Sequence, residues 1–198
     1  MEKFSRKEKI ALVIFGMILL AIIIQMIWRL GEYDSNSEEG IIINKIGMIF
    51  PGNLLKPEWS KMTASSHNKK NEVVSKLWDS NPQTFWHVSL KRLGEPAWVT
   101  VDFGEGNKKV IRSIMALPRH DLPRQFFRKA ELFGSDNGED WQLVSNIIQK
   151  KKPERATWRE WKFDNKQAYR YYQLLITDGY EGGDDHHFFS MAELALFE

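Results

Sequence analysis

Cysteine is absent from the 198 residues. That excludes disulfides, thiolate metal sites, a cysteine nucleophile and a lipidated cysteine. Catalytic signatures are missing too: there is no Gly-x-Ser-x-Gly, no His-Glu-x-x-His and no glycine-rich phosphate loop. Asp184-Asp185 beside His186-His187 is the one dense titratable cluster, and a Gly-Gly-Asp-Asp loop is a poor platform for acid–base geometry. No His-x-x-x-His pair begins a zinc site, and there is no Asn-x-Ser/Thr acceptor. Excess charge is scarce: 28 Lys and Arg against 26 Asp and Glu leave +2, too balanced to argue for nucleic acid as a partner.

Charge vanishes between Ile10 and Trp28, where Gln25 is the one strongly polar residue. A helix over that run would be roughly 28 Å long at ~1.5 Å per residue, enough to cross a hydrocarbon core. Trp28 and Arg29 close it as interface anchors do, and Lys3, Arg6, Lys7 and Lys9 precede it. The run is longer than the apolar part of a signal peptide, and no small-x-small site follows Met26. The expectation is a cytoplasmic tail over 1–9 and an uncleaved single-pass anchor over 10–30. Everything after it is then extracytoplasmic, in a periplasm or at a cell surface. Residues 31–52 read as a polar linker, Gly31 to Gly40, and an apolar stretch, Ile41 to Phe50. That stretch is expected as an added strand, with a partner-facing or membrane-facing surface as the alternative.

What is plentiful is aromatic: 13% of residues, with eight Trp, enough to span the gap between two packed sheets. From residue 53 the chain reads as short strands between turns. Trp98 to Phe103 alternates, with Val99, Val101 and Phe103 on one face and Trp98, Thr100 and Asp102 on the other. Further strands are expected at Val110–Leu117, Lys129–Gly134, Trp141–Ile148, Trp158–Phe163, Tyr169–Ile176 and Met191–Phe197. Turn signals such as Asp136-Asn137-Gly138 separate them. This spacing, without amphipathic helices, predicts an all-β sandwich over 53–198. All five histidines fall in predicted loops. Lys150-Lys151-Lys152 reads as a basic connecting loop, a solvated turn with anionic lipid contact as the alternative.

One stretch, Leu77 to His87, organises the rest. An Asp-Ser-Asn-Pro turn lies between aromatic flanks, and Asp79, Asn81 and Thr84 place hard oxygens at short intervals. Calcium, which takes about six to eight oxygen ligands, suits that arrangement. The competing reading is an Asx-turn whose side chains cap its own amides.

Around it stand Met62-Thr63-Ala64-Ser65-Ser66-His67, Pro96 to Gly104, Ala116-Leu117-Pro118-Arg119, Ala130 to Trp141 and Met191 to Phe197. In this order they resemble the discoidin, or coagulation-factor C-type, domain family, nearest to bacterial family-32 carbohydrate-binding modules. The absent cysteines lean the same way, since relatives outside bacteria often carry a disulfide. The resemblance implies a galactose-binding-like jelly-roll β-sandwich that binds ligands through loops at one end. It implies structural Ca2+ held by the carboxylates of Asp79 and Glu193, by Thr84, and by the carbonyls of Asn81 and Ala192. Ser80 stands where the family usually has glycine, and Asn81 where it has a second Asp. It further implies a sugar site in which His87 and Arg119 meet hydroxyls while Phe188 or Phe189 stacks on the ring, one of the two packing in the core. Leu90 departs from the aromatic that many sugar-binding relatives carry three residues after the histidine. Two functions follow: a membrane-tethered carbohydrate-binding module without catalysis, for galactose-like glycans, or an accessory subunit docking on a membrane protein complex.

Overall fold

The computed structural model describes residues 52–55, 60–90, 97–180, 182–183 and 186–198, without the side chains at 89–90, 182–183 and 186–187. The expected tail, the anchor over 10–30, the stretch Ile41 to Phe50 and Asp184-Asp185 lie outside the described residues. No described helix is long and apolar enough to cross a membrane.

Among the described residues eleven strands form, in chain order β1 (Lys61–Ala64), β2 (Trp86–Leu90), β3 (Ala97–Asp102), β4 (Ser113–Leu117), β5 (Phe127–Ser135), β6 (Gln142–Ile148), β7 (Arg159–Lys162), β8 (Tyr171–Gly179), β9 (Gly182–Gly183), β10 (His186–Met191) and β11 (Glu193–Phe197). Two short 3-10 turns, Val74–Trp78 and Pro123–Gln125, are the helical elements among the described residues. A five-stranded sheet runs β1-β3-β8-β5-β6; two three-stranded sheets run β2-β10-β9 and β11-β4-β7. The described pairings are antiparallel. The fold is thus the expected all-β sandwich, of jelly-roll type.

Alternation builds it. Val99, Val101 and Phe103 are buried while Trp98, Thr100 and Asp102 are partly exposed, as the sequence pattern predicts. Tyr172, Leu174 and Ile176 of β8 meet Ile114 and Ala116 of β4, Trp86 and Val88 of β2, and Leu194 and Leu196 of β11 in one core. Burying such a side chain contributes about 1.5–3 kcal/mol. Tyr172 also ties the sheets by its hydroxyl, which donates to the Lys109 carbonyl at 2.6 Å and accepts from the Ile111 amide at 3.2 Å. Gly138 takes φ +79 at its turn, as the Asp-Asn-Gly signal requires.

Four strands, β1, β2, β9 and β10, lie outside those expected. β2 and β10 lie where loops were predicted, so His87, His186 and His187 are on strands, while His67 and His120 stay in connections. The reason is a covered outer face: polar residues there break the usual apolar-in, polar-out cue without breaking the strand.

Candidate functional site

Register in the β2–β10 pair determines what faces the core. Val88 pairs with Phe189 and Trp86 with Met191, and all four are buried among core residues. His87 pairs with Ser190, and Phe188 with Ser89, on the opposite face. Consecutive phenylalanines on a strand cannot share a face. Phe189, 3% exposed, therefore belongs to the core, where its ring fills the space that Gly179 leaves. Phe189 is thus the one of the two expected to pack in the core, and Phe188 is half-buried on the outer face.

The loop after β4 covers that outer face. Its 3-10 turn brings Gln125 over β10, and the Ser190 hydroxyl donates to the Gln125 carbonyl at 3.5 Å. His87 is 7% exposed beneath this cover. Its Nδ1 lies 3.0 Å from a Glu72 carboxylate oxygen, and Asn68 Nδ2 stands farther off at 3.4 Å. Backbone contacts fix the same loop: the His87 amide donates to the Glu72 carbonyl at 3.2 Å and the Asn68 amide to the His87 carbonyl at 2.8 Å. Burial holds the imidazole below its ordinary pKa, against the opposing pull of Glu72. The ring is therefore neutral at pH 7. With the Nδ1 proton donated to Glu72, Nε2 presents a lone pair, and it is a buried nitrogen with no hydrogen-bond partner. The ring centroids of Phe188 and Phe85 lie 6.0 and 6.5 Å away.

Arg119 is placed differently from the expectation. It is 7% exposed, and its fork grips Asp121, Nε and Nη2 each donating to a carboxylate oxygen at 2.6 Å. Nη1 donates to Gln125 Oε1 at 3.1 Å, and the guanidinium carbon sits 3.6 Å above the Phe85 ring centroid. The bidentate edge that sugar hydroxyls would use is thus engaged within the protein, so Arg119 orders the loop and supports Phe85. The same contact holds Asp121 below the usual carboxylate range. Phe85, which the sequence reading did not place in the site, links Arg119 to His87; its one signal was its position two residues before His87.

The residues expected to hold calcium gather one loop away. The Asn81 amide donates to Asp79 Oδ1 at 3.0 Å and to Glu193 Oε1 at 2.9 Å. The Thr84 hydroxyl donates to Asp79 Oδ2 at 2.7 Å and lies 3.0 Å from the Asn81 carbonyl. The Asx-turn contact is therefore formed, and Ser80 takes φ +57, the left-handed region that glycine would adopt freely. Lys76 Nζ reaches Asp79 Oδ2 at 3.2 Å. Glu193, 3% exposed, is pushed up to about 9 by burial and by the charge of Asp79 beside it. Two carboxylates, exposed Asp79 and buried Glu193, beside the oxygens of Asn81 and Thr84 are donor chemistry that fits calcium. Among the described residues no group of three or more His, Asp or Glu forms a metal cluster; the remaining donors would be neutral oxygens. Ala192 is fully buried at the corner before β11, packed with Leu117 and Ala156 under Phe85 and Trp158. This small cluster joins the metal loop to the loop carrying Arg119.

A jelly-roll sandwich with its polar clusters on adjacent loops at one end defines the class of galactose-binding-like domains. The sequence model of the F5/8 type C domain matches residues 61–194, and the chain belongs to that family. Similar solved structures include family-32 carbohydrate-binding modules. One from Clostridium perfringens, in complex with GalNAc-beta-1,3-galactose, is 23% identical, covers 71% of this chain and 96% of its own, with a TM-score of 0.57. The module of C. perfringens NanJ, in complex with galactose, is also 23% identical, over 71% and 95%, at 0.56. A third, from a family 31 glycoside hydrolase of the same organism, is 16% identical over 72% and 93%, at 0.59. No curated protein matches the chain.

Proposed function

We propose that the domain binds carbohydrate of the galactose class, with His87 and Phe188 at the centre of the site and Phe85 and Arg119 behind them. The observation that carries this reading is the buried, unpartnered Nε2 of His87 beside the partly exposed Phe188 ring. An unsatisfied buried acceptor costs about 1–3 kcal/mol, which a ligand hydroxyl would recover by donating to it. A pyranose pairs such hydroxyls with an apolar C–H face that suits an aromatic ring. The ligands named for the similar modules support the choice of galactose and GalNAc as probes. The reading assigns binding, with no reaction. Calcium belongs to it as a structural ion held by Asp79, Thr84 and Glu193 with the carbonyls of Asn81 and Ala192. It stiffens the turn that leads into Phe85 and His87. The uncharged run from Ile10 to Trp28 supports attachment to a membrane with the sandwich on the extracytoplasmic side.

Calorimetric titration of the full-length chain in neutral detergent with calcium and galactose or GalNAc tests this. Saturable binding that His87→Phe abolishes, with the melting temperature held, is the expected result; no binding to either sugar, with calcium present, rejects it. A second reading, docking on a membrane protein complex, is favoured by one surface: Leu143 and Ile148, 53% and 52% exposed, on β6 at the end of the five-stranded sheet. Co-purification lost on Leu143→Lys would support it.

A further inference from the structure

Among the described residues two large apolar side chains stand exposed, Leu143 and Ile148, and both are on β6. β6 ends the five-stranded sheet, with β5 on one side and no described strand on the other. The Ile148 carbonyl points to that open side, where it accepts from Trp161 Nε1 of β7 at 3.0 Å, while the Gln149 amide donates to the Arg128 carbonyl at 2.9 Å. Backbone groups alternate along a strand, so the amide and carbonyl of Asn146 point to the open side as well. A bulge at Val144 brings Leu143 onto the same outer face as Asn146 and Ile148.

Open ladder edges invite another strand, and sheets guard them with charge, proline, shortness or a cover. β1 is four residues long and carries Lys61, β7 carries Arg159, Glu160 and Lys162, and β9 is two residues long. On β11 the Leu196 carbonyl accepts from the Leu54 amide at 2.9 Å, and on β2 the amide and carbonyl of His87 are bonded to Glu72 and Asn68. β6 has neither charge nor proline in its seven residues. Its charges lie at its ends, with opposite signs: exposed Glu139 and Asp140 precede it, and exposed Lys150, Lys151 and Lys152 follow it. An antiparallel copy of the strand, related by a two-fold axis at Asn146, sets each acidic end against the other copy's basic end, with Asp140 opposite Lys152. A parallel copy would oppose like charges. The two-fold also lets the Asn146 amide and carbonyl bond reciprocally with their copies, and it gathers both Leu143 and both Ile148 on one face.

We propose that β6 is a pairing surface for a second copy of this chain, joining two five-stranded sheets edge to edge about Asn146. The stretch Ile41 to Phe50 is the rival occupant within the chain, but it leads into Asn53 and Leu54, which lie on β11 and not on β6. A strand pair of this length falls below the ~1,200 Å² of tight interfaces, so the pairing is weak between free copies. Copies anchored in one membrane would pair more readily, because tethering raises their effective concentration. On the carbohydrate reading the pair presents two sugar sites to one glycan surface, but the pairing itself does not depend on that reading.

The chain has no cysteine, so single-cysteine variants report the contact directly. Cα atoms of a hydrogen-bonded strand pair lie about 5.5 Å apart, inside the ~4.4–6.8 Å that a disulfide spans. Full-length Asn146→Cys in neutral detergent is oxidised mildly and followed on non-reducing gels. It should form dimer about tenfold faster or more than Lys61→Cys, which lies at the opposite edge of the same sheet. In the Asn146→Cys background, Glu139→Lys with Asp140→Lys should slow the reaction several-fold, and so should Lys150→Glu with Lys151→Glu and Lys152→Glu. Combining the two sets should restore the rate, and Leu143→Lys should slow it. Equal rates for Asn146→Cys and Lys61→Cys overturn the proposal, because they mean random collision. A loss from either charge set that the combination fails to rescue overturns it as well. A fast disulfide within one monomer carrying Asn146→Cys and Ile43→Cys would give the edge to the chain's own stretch and overturn it. No dimer in detergent, with Asn146→Cys cross-linking to another protein in native membranes, would give the edge to that protein instead and overturn it too.

Discussion

Glu72 and His87 form a pair in which one proton arrangement satisfies both groups, and it leaves Nε2 bare. A ligand hydroxyl must then act as donor, so a galactose analogue with that hydroxyl replaced by fluorine should bind about tenfold or more weaker, measured by titration. Arg119 contributes differently. Its fork on Asp121 and its face on Phe85 are contacts made without ligand, so Arg119→Ala should lower stability by about 1–3 kcal/mol in thermal melts even without sugar. Lysine at this position should recover little, since one ammonium cannot hold a carboxylate in two places and cover a ring. At Ser80 the left-handed backbone carries a cost that glycine lacks. Ser80→Gly should raise stability by about 0.5–1 kcal/mol, the gain being partly offset by the glycine's freedom in the unfolded chain.

Strands set the next level, because their two faces are assigned by register. Periodicity was enough to place β3, where buried Val99 and Val101 alternate with partly exposed Trp98, Thr100 and Asp102. It failed on β2 and β10, because His87 and Ser190 are polar and yet covered by the 119–125 loop. Two glycines mark where elements pass closely. A Cβ at Gly134 of β5 would lie 2.2 Å from the Tyr169 ring, and one at Gly179 of β8 would lie 2.5 Å from the Phe189 ring. Tyr169 is held edge-on to Tyr172 at 5.8 Å, and its hydroxyl donates to Gln142 at 2.8 Å, so it cannot move freely. Gly134→Ala should cost about 1–3 kcal/mol in chemical denaturation by overpacking.

At the scale of the whole molecule, Glu193 couples stability to pH and, on the calcium reading proposed above, to the metal. Its folded carboxyl, near 9, lies above the ordinary 4.5, so the folded chain keeps a proton that the unfolded chain has released. Metal-free stability therefore falls as pH rises from about 4.5 towards 9. Bound calcium would require the ionised form, so its stabilisation should grow over the same range. Melting temperatures with chelator and with calcium, at pH 5 and pH 8, should diverge accordingly, and Glu193→Gln should remove both trends. Curves that stay parallel would leave calcium no part in the fold. The proposed membrane anchor makes its own prediction: N-terminal sequencing of membrane-extracted protein should begin before Ile10, and a mature chain starting near Gly31 would reject it.

Local sequence determined the class of this protein. Alternating apolar residues, turn signals and the Leu77-to-His87 stretch are short-range patterns, and a strand's period and a turn's backbone angles are local physics. The loop oxygens of Asp79, Asn81 and Thr84 were legible for the same reason. The partners of the site were decided by tertiary structure: Glu72 lies 15 residues from His87, and Glu193 lies 112 from Asn81. Which of Phe188 and Phe189 faces outward depended on pairing with β2. That Arg119 grips Asp121 and leans on Phe85, leaving no fork for a ligand, depended on a loop packing over a strand face. A local pattern fixes what each residue can offer, but only the closed sandwich determines which offers are already taken inside it.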